Sequence, residues 1–313
     1  MKVFVLAPNE DWIVDRQVKE WNEHNADISV SDPKQADVIW LLADWCFSRL
    51  PIELLKSKKV LCTVHHIVPE KWGLQQSKEF EFRDKFVTAY HVPNEHTRDF
   101  IAQLTSKSIH VIPYWANPHI WRPTGDKYEL RKKYNLPIDG RLCGSFQRDT
   151  EGHDLKSPKL EKGPDLLAKY VRQLHAEWKN ICNTHQPCGT AVLAKPHVVL
   201  AGWRRQYIIN QLTDAGISYS YFEKPSQEVI NELYQTLDLY PVTSRYEGGP
   251  QSLIECGLLN IRVVSRDMGI ARSVLPPEAI HSDVLLAKPT VPNVEHLKLP
   301  GGYEPYRRLL ASL

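Results

Sequence analysis

Long apolar runs, net charge and clustered cysteines are all scarce in this chain. No stretch approaches the ~20 apolar residues that a helical membrane span requires. The opening "MKVFVLAPNEDW" carries only a short apolar run, broken by Pro8, Asn9 and Glu10, and is not expected to act as a secretion leader. Lysine and arginine number 39 against 37 acids, a net charge of +2, so no nucleic-acid partner is expected. Cys46, Cys62, Cys143, Cys182, Cys188 and Cys256 are scattered. Only Cys182 and Cys188 lie close together, and their spacing suits zinc poorly; with His185 they would still want a fourth ligand. Free thiols, no bound metal and a cytoplasmic location are the expectation. No short repeat period is visible.

What is present is a rhythm. The 313 residues suffice for two domains. Strand-length apolar runs, "KVFVLAP", "ADVIWLLAD", "KKVLCTVHH", "FVTAYHVP" and "SIHVIPYW", alternate with helical patterns. "IVDRQVKEWNEH" has Ile13, Val14, Val18 and Trp21 at helical spacing, and "NEHTRDFIAQL" opens on Asn94, a good N-cap. "YWANPHIWRPTGDK" interrupts with Pro118, Pro123 and Gly125 and reads as a connector. The alternation then restarts through "RLCGSFQRD", "GPDLLAKYVRQLHAEW", "HVVLAG", "RQYIINQLTDAG", "SYSYFE", "SQEVINELYQTL", "DLYPVTS" and "IRVVSRD". The end, "EPYRRLLASL", reads as an amphipathic helix. Apolar strands alternating with amphipathic helices predict an α/β protein with parallel sheets covered on both faces. The expected divisions are residues 1–118, 119–295 and a closing helical segment, 296–313, that packs back toward the first domain.

"SRYEGGPQSLIECG", Ser244 to Gly257, carries the chemistry. It sets a strand end, a loop and a helix in succession, with Pro250 at a tolerated first-turn position. Ligands of doubly wound sheets bind outside the carboxyl ends of strands. Glycines there let backbone approach a ligand, and the first helical turn offers unpaired N–H groups that favour phosphate. Glu247 and Glu255 stand eight residues apart, ~12 Å along the axis if all were helical. That is too far for a shared proton but suits two ends of an extended ligand, since a carboxylate accepts hydrogen bonds from paired hydroxyls. The bland reading makes Glu247 a helix cap and Glu255 a solvated acid. Against it, Glu255 lies between Ile254 and Cys256 in an apolar helix, where an acid needs a partner.

"SRYEGGPQSLIECGLLNIRVVSRDMG" resembles the signature of retaining glycosyltransferases of family 4. That resemblance implies the GT-B fold, two Rossmann-like doubly wound domains facing across a cleft. It also implies a nucleotide-diphosphate sugar as donor, an acceptor of unknown kind (glycan, lipid-linked or small molecule), and no metal. By the same resemblance Glu247 contacts the donor sugar, Glu255 holds the ribose, and Gly248 and Gly249 offer backbone N–H groups, with Pro250 and Ser252 beside them in the first turn. "SFQRD…KLEKGPDLL" resembles the family's cation pair for the pyrophosphate, giving Arg148 and Lys162. The insert "DTEGHDLKSPKLE" also brings Lys156 and Lys159 into competition. "VLCTVHHIVPE" resembles the strand ending in the active-site histidine; the alignment favours His65, with His66 second. Two adjacent histidines in an extended strand face opposite ways, so at most one of them serves.

The departures are specific. "APNEDWIVD" lacks the glycines that many relatives have after the first strand. Tyr114 and Trp115 replace an Asn and a Gly. Arg204 and Arg205 stand where relatives have a glycine-rich turn, and would either touch phosphate or form a solvated helix start. The resulting expectation is a glycosyltransferase of the hexosyltransferase type. The rivals are a non-catalytic nucleotide-sugar or carbohydrate-binding protein and a GT-B epimerase or phosphorylase. An epimerase would leave the mass of its donor unchanged.

Overall fold

The computed structural model describes residues 1–11, 13–183 and 194–313. It resolves into two compact units, Met1–Trp115 with Leu299–Leu313, and Ala116–Lys298. His185 and Cys188 lie outside the described residues. Among those described, no group of three or more His, Cys, Asp or Glu is placed to hold a metal, and no helix is long and apolar enough to cross a membrane.

In the first unit, β1 (Val3–Val5), β2 (Val38–Leu41), β3 (Lys59–Thr63), β4 (Ala89–Val92) and β5 (Ile109–Val111) pair in parallel in that order. The helices between them are α1 (Ile13–His24), α2 (Ile52–Ser57), α3 (Leu74–Asp84) and α4 (Glu95–Ile101). The α4 helix starts where Asn94 predicts, with the Asn94 side chain accepting from the Thr97 N–H. The winding reverses at β1. Val3 bridges in parallel to Ser29 on its other side, so the chain first steps outward and then returns across β1 to β2. Such a reversal puts helices on both faces. Side chains alternate along β4 accordingly. Tyr90 stacks on Phe80 of α3, with centroids 5.3 Å apart, while His91 meets Tyr306 of the closing helix edge-on at 5.0 Å. Trp40 of β2 packs on that second face against Trp21 of α1.

The sequence pattern overran one strand. β3 ends at Thr63, so "VHH" is not extended sheet and pleat alternation does not decide between His65 and His66. The loop after β1 turns without glycine. Asn9 and Asp11 adopt left-handed φ of 52° and 53°, and the Asp15 carboxylate accepts the Asn9 and Glu10 N–H groups, both at 2.8 Å. Asn and Asp tolerate that region well enough to take over turns that relatives build from glycine.

The second unit contains α5 (Lys127–Lys133), β6 (Arg141–Ser145), a two-residue hairpin of β7 (Thr150–Glu151) and β8 (Ser157–Pro158), and α6 (Pro164–Asn183). There follow β9 (Pro196–Gly202), α7 (Gln206–Asp214), β10 (Ser218–Glu223), α8 (Gln227–Gln235), β11 (Tyr240–Val242), α9 (Gln251–Leu258), β12 (Val263–Ser265) and α10 (Ala271–Val274). The hairpin occupies the insert after Arg148. β10, β9 and β6 pair in parallel, as do β11 and β12. The Gly144 N–H donates to Leu239 O at 3.0 Å, and Cys143 bridges Leu239, which joins the two sets. The order is therefore β10–β9–β6–β11–β12, and the direction of winding reverses between β6 and β11. Helix α11 (Glu304–Ser312) belongs to the first unit, where Tyr306 is wholly buried.

Two buried histidines make the fold acid-sensitive. His91 bonds Thr63 Oγ1 and Ile112 O, and burial pushes its pKa down to about 3. His197 lies between Ser218 Oγ and Ser220 Oγ, and burial lowers it to about 4. In the unfolded chain both titrate near 6.5. Between that value and the folded values the unfolded state binds more protons, so their contribution is complete above about pH 6.5 and is lost on acidification toward 4 and 3. Unfolding free energies from urea titrations between pH 7 and pH 4.5 should fall by about 2–3 kcal/mol per pH unit below pH 6.5. His91→Gln should flatten that slope.

Candidate functional site

The reversal between β6 and β11 leaves a crevice at their carboxyl ends, where doubly wound sheets place ligands. The loops that meet there are Phe146–Asp149 after β6 and Thr243–Pro250 after β11. A third segment, the turn Leu160–Lys162 ahead of α6, is sewn onto the second loop. The Arg245 and Tyr246 N–H groups donate to Glu161 O, and Arg245 forks onto Asp165 at 2.7 and 2.8 Å while also reaching Leu160 O. Gly163 permits this closeness. Its φ is +62°, and a Cβ there would stand 2.0 Å from Thr243 O.

This stitching delivers Lys162 to Glu247. Lys162 Nζ lies 2.6 Å from Glu247 Oε1, with both side chains largely buried. Ser244 Oγ donates to the same oxygen at 3.1 Å, and Gln147 Nε2 donates to Lys162 O at 2.8 Å. Of the competing lysines, Lys159 pairs with Glu161 and Lys156 is exposed on the hairpin. Lys162 is thus the lysine brought to Glu247. Gly269, at φ +54°, lets the following turn pack against the Glu247–Pro250 loop, since a Cβ would meet Pro250 Cδ at 2.7 Å. Pro250 itself corrects the sequence reading. It is the residue before α9 rather than one within its first turn, and it supplies no side-chain cap. Gly248 is buried and Gly249 half-buried, neither with left-handed φ. Ser252 lies half-buried in the first turn of α9.

Glu255 is 6% exposed, which removes the solvated-acid reading. Its Oε2 accepts from Tyr234 Oη at 2.7 Å, and Tyr234 is packed between Phe146 and Tyr240. Burial, and next the charge of Glu255, raise the Tyr234 pKa well above its ordinary value, so the phenol stays protonated and donates. Sequence reasoning asked for a partner here and could not name it, because Tyr234 arrives from α8.

Arg148 is not brought to Glu247. Its Nε donates to Thr150 O, and its guanidinium lies over the Trp203 ring, 5.3 Å from the centroid. Arg205 fits neither of the readings given jointly to Arg204 and Arg205, a phosphate contact or a solvated helix start. Arg205 is fully buried, bonded to Asp149 Oδ2 at 2.5 Å, Ala201 O at 2.7 Å and Ser145 Oγ at 2.8 Å, and is structural. Arg204 bonds Gly152 O and lies beside Trp203. In the first unit, His65 Nε2 donates to Leu42 O at 2.7 Å and Nδ1 engages the Tyr114 hydroxyl. Burial lowers its pKa, so the ring is neutral and Tyr114 is the donor at Nδ1. Tyr114, one of the departures noted in the sequence, is thus the partner of His65.

No family model matches the chain, and no curated protein matches it either. Solved structures do. HepE from Anabaena, in complex with UDP and glucose, matches at TM-score 0.66 with 13% identity over 99% of each chain. Sucrose-phosphate synthase from Thermosynechococcus elongatus matches at 0.60 with 14% identity, over 98% of this chain and 81% of that one. A UDP-forming α,α-trehalose-phosphate synthase from Burkholderia xenovorans matches at 0.57 with 14% identity, over 94% and 70%. The fold is of the GT-B type.

The site's construction makes stability claims. Lys162→Met and Glu247→Gln should each cost about 1–3 kcal/mol, because each leaves a buried partner unpaired. The double variant should fall short of the sum by about 1 kcal/mol in urea titrations. Gly163→Ala should cost about 2 kcal/mol or more, combining a clash with a disfavoured φ.

Proposed function

We propose that the protein is a retaining glycosyltransferase that moves a sugar from a nucleoside-diphosphate sugar to an acceptor hydroxyl without a metal. The observation that carries this reading is the Lys162–Glu247 contact at the switch point, directly before the first turn of α9. Without ligand the two charges neutralise each other. A donor would divide them, the ammonium taking the diphosphate and the carboxylate taking sugar hydroxyls. Gly248, Gly249, Pro250 and Ser252 line the approach to α9, whose first N–H groups favour phosphate. Glu255, held by Tyr234, takes the ribose diol. Arg148 and Arg204 add positive charge for the leaving group. UDP in the HepE complex supports a nucleotide donor for this chain as well.

Chemically, the bond between the anomeric carbon and the diphosphate oxygen breaks and that oxygen keeps the electron pair. The acceptor oxygen bonds to the same face, and its proton passes to the departing phosphate. Fixed cations lower the barrier by stabilising the growing negative charge. His65, in its neutral form, serves on the acceptor side. The buried unpaired thiols of Cys46, Cys62, Cys143 and Cys256 support a cytoplasmic setting.

Melting temperatures with UDP, GDP, ADP and TDP and their sugars would identify the donor, since preferential binding to the native state raises the melting point. With that donor, Glu247→Ala and Arg148→Ala should each lower kcat/KM by about 100-fold or more. Undiminished turnover in either variant contradicts the assignment. Tyr114→Phe removes a donor that stabilises neutral His65, so the acid limb of the pH–rate profile should move to higher pH.

A further inference from the structure

A cluster of positive charge stands beside the switch-point crevice. Trp203 follows β9 directly and is 44% exposed. Three cations converge on that one ring: Arg148 at 5.3 Å, Arg204 at 5.5 Å and Lys224 at 5.1 Å from its centroid. They come from the carboxyl ends of three adjacent strands, β6, β9 and β10. Their few side-chain hydrogen bonds go to backbone carbonyls, from Arg148 to Thr150 and from Arg204 to Gly152. Among the described residues none of the three is paired with a carboxylate.

Two further observations set the cluster apart from an ordinary basic surface. Arg204 Nε is buried and has no hydrogen-bond partner. Arg204 and Lys224 both hold left-handed φ, 55° and 44°, a conformation uncommon for side chains of their size. Strained residues of this kind persist where the surroundings over-determine them, and they gather at ligand clamps. An indole contributes only about 0.5–1 kcal/mol per exposed cation, while the cations repel one another. An anion that bridged them would offset that repulsion.

We propose that Trp203, Arg204 and Lys224, with Arg148, form a phosphate-binding subsite flanking the Lys162–Glu247 crevice. The ligand is a phosphate group held by the guanidinium forks and the ammonium, with the indole as the floor that keeps them convergent. This deepens the donor reading given above by assigning Trp203 and Lys224. Two sources share the chemistry: the diphosphate of the donor nucleotide, or a phosphomonoester carried by a second ligand.

Isothermal titration of the full chain with inorganic pyrophosphate and with UDP tests it. The variants are Lys224→Gln, Arg204→Gln with Lys224→Gln, and Trp203→Leu, with unliganded melting temperatures as the folding control. Lys224 is exposed, so its single variant stays informative if the others fold poorly. The double variant should bind pyrophosphate at least tenfold more weakly than the parent, and Lys224→Gln alone about threefold. Added salt should weaken the parent more than the double variant. Displacement of pyrophosphate by UDP assigns the subsite to the donor; simultaneous binding assigns it to a second phosphorylated ligand. Pyrophosphate affinity within twofold of the parent in the double variant overturns the subsite and leaves the donor reading intact if UDP still binds. Failure of the parent to bind any nucleoside diphosphate, with pyrophosphate binding still sensitive to the cluster, overturns the donor reading alone.

Discussion

Strand β6 is fastened at both ends by buried guanidinium–carboxylate pairs, and the second unit is organised around it. At its start, Arg131 bonds Asp238 at 2.8 Å and the carbonyls of Thr236 and Ile138, while Asp238 accepts the Leu142 N–H. At its end, Arg205 joins Asp149 to Ser145 and Ala201. Buried ion pairs add little net stability compared with apolar packing, but losing one partner leaves a charge stranded, typically at a cost of about 3–5 kcal/mol. Their effect here is one of geometry. β6 borders the reversal of the sheet, and Arg205 ties its last residue to β9 and to the loop that carries Gln147 and Arg148. One wall of the crevice is thereby tied to β9 and to its own following loop.

The opposite wall is held by backbone contacts together with the Arg245–Asp165 ion pair. Gly163 brings the turn before α6 into contact with the end of β11, and Glu161 O accepts two N–H groups from the loop. Lys162 therefore reaches Glu247 without depending on a long flexible approach. Both walls converge on Ser244, whose hydroxyl touches Gln147 and Glu247. Positioning residues of this sort are set by local chain geometry, so the charges are presented before any ligand arrives.

Much of this arrangement was legible in the sequence. The α1 pattern and the Asn94 cap rest on local spacing, and their elements fall where local chemistry puts them. The acid spacing of Glu247 and Glu255 was equally visible, and the apolar neighbours of Glu255 announced a burial that the structure contains. Long-range partners were not legible. Tyr234 meets Glu255 from another helix, and Asp149 selects Arg205 over the adjacent Arg204 by a contact 56 residues distant in sequence. Trp203 and Lys224 gave no signal of convergence, because neighbouring strand ends bring them together and periodicity does not. The absence of glycine after β1 was legible too, but not the left-handed turns that Asn9 and Asp11 take there.

The first unit is discontinuous along the chain. Tyr303, Tyr306, Leu309 and Leu310 are all buried in its core, and Trp21, Trp40, His91 and Trp115 each have a ring contact with Tyr303 or Tyr306. A ribosome delivers Val3 to Trp115 first and the residues that close this core only after nearly two hundred more. The continuous second unit can therefore finish folding while the earlier one still waits with an open aromatic face, a vectorial order opposite to the usual amino-terminal-first sequence.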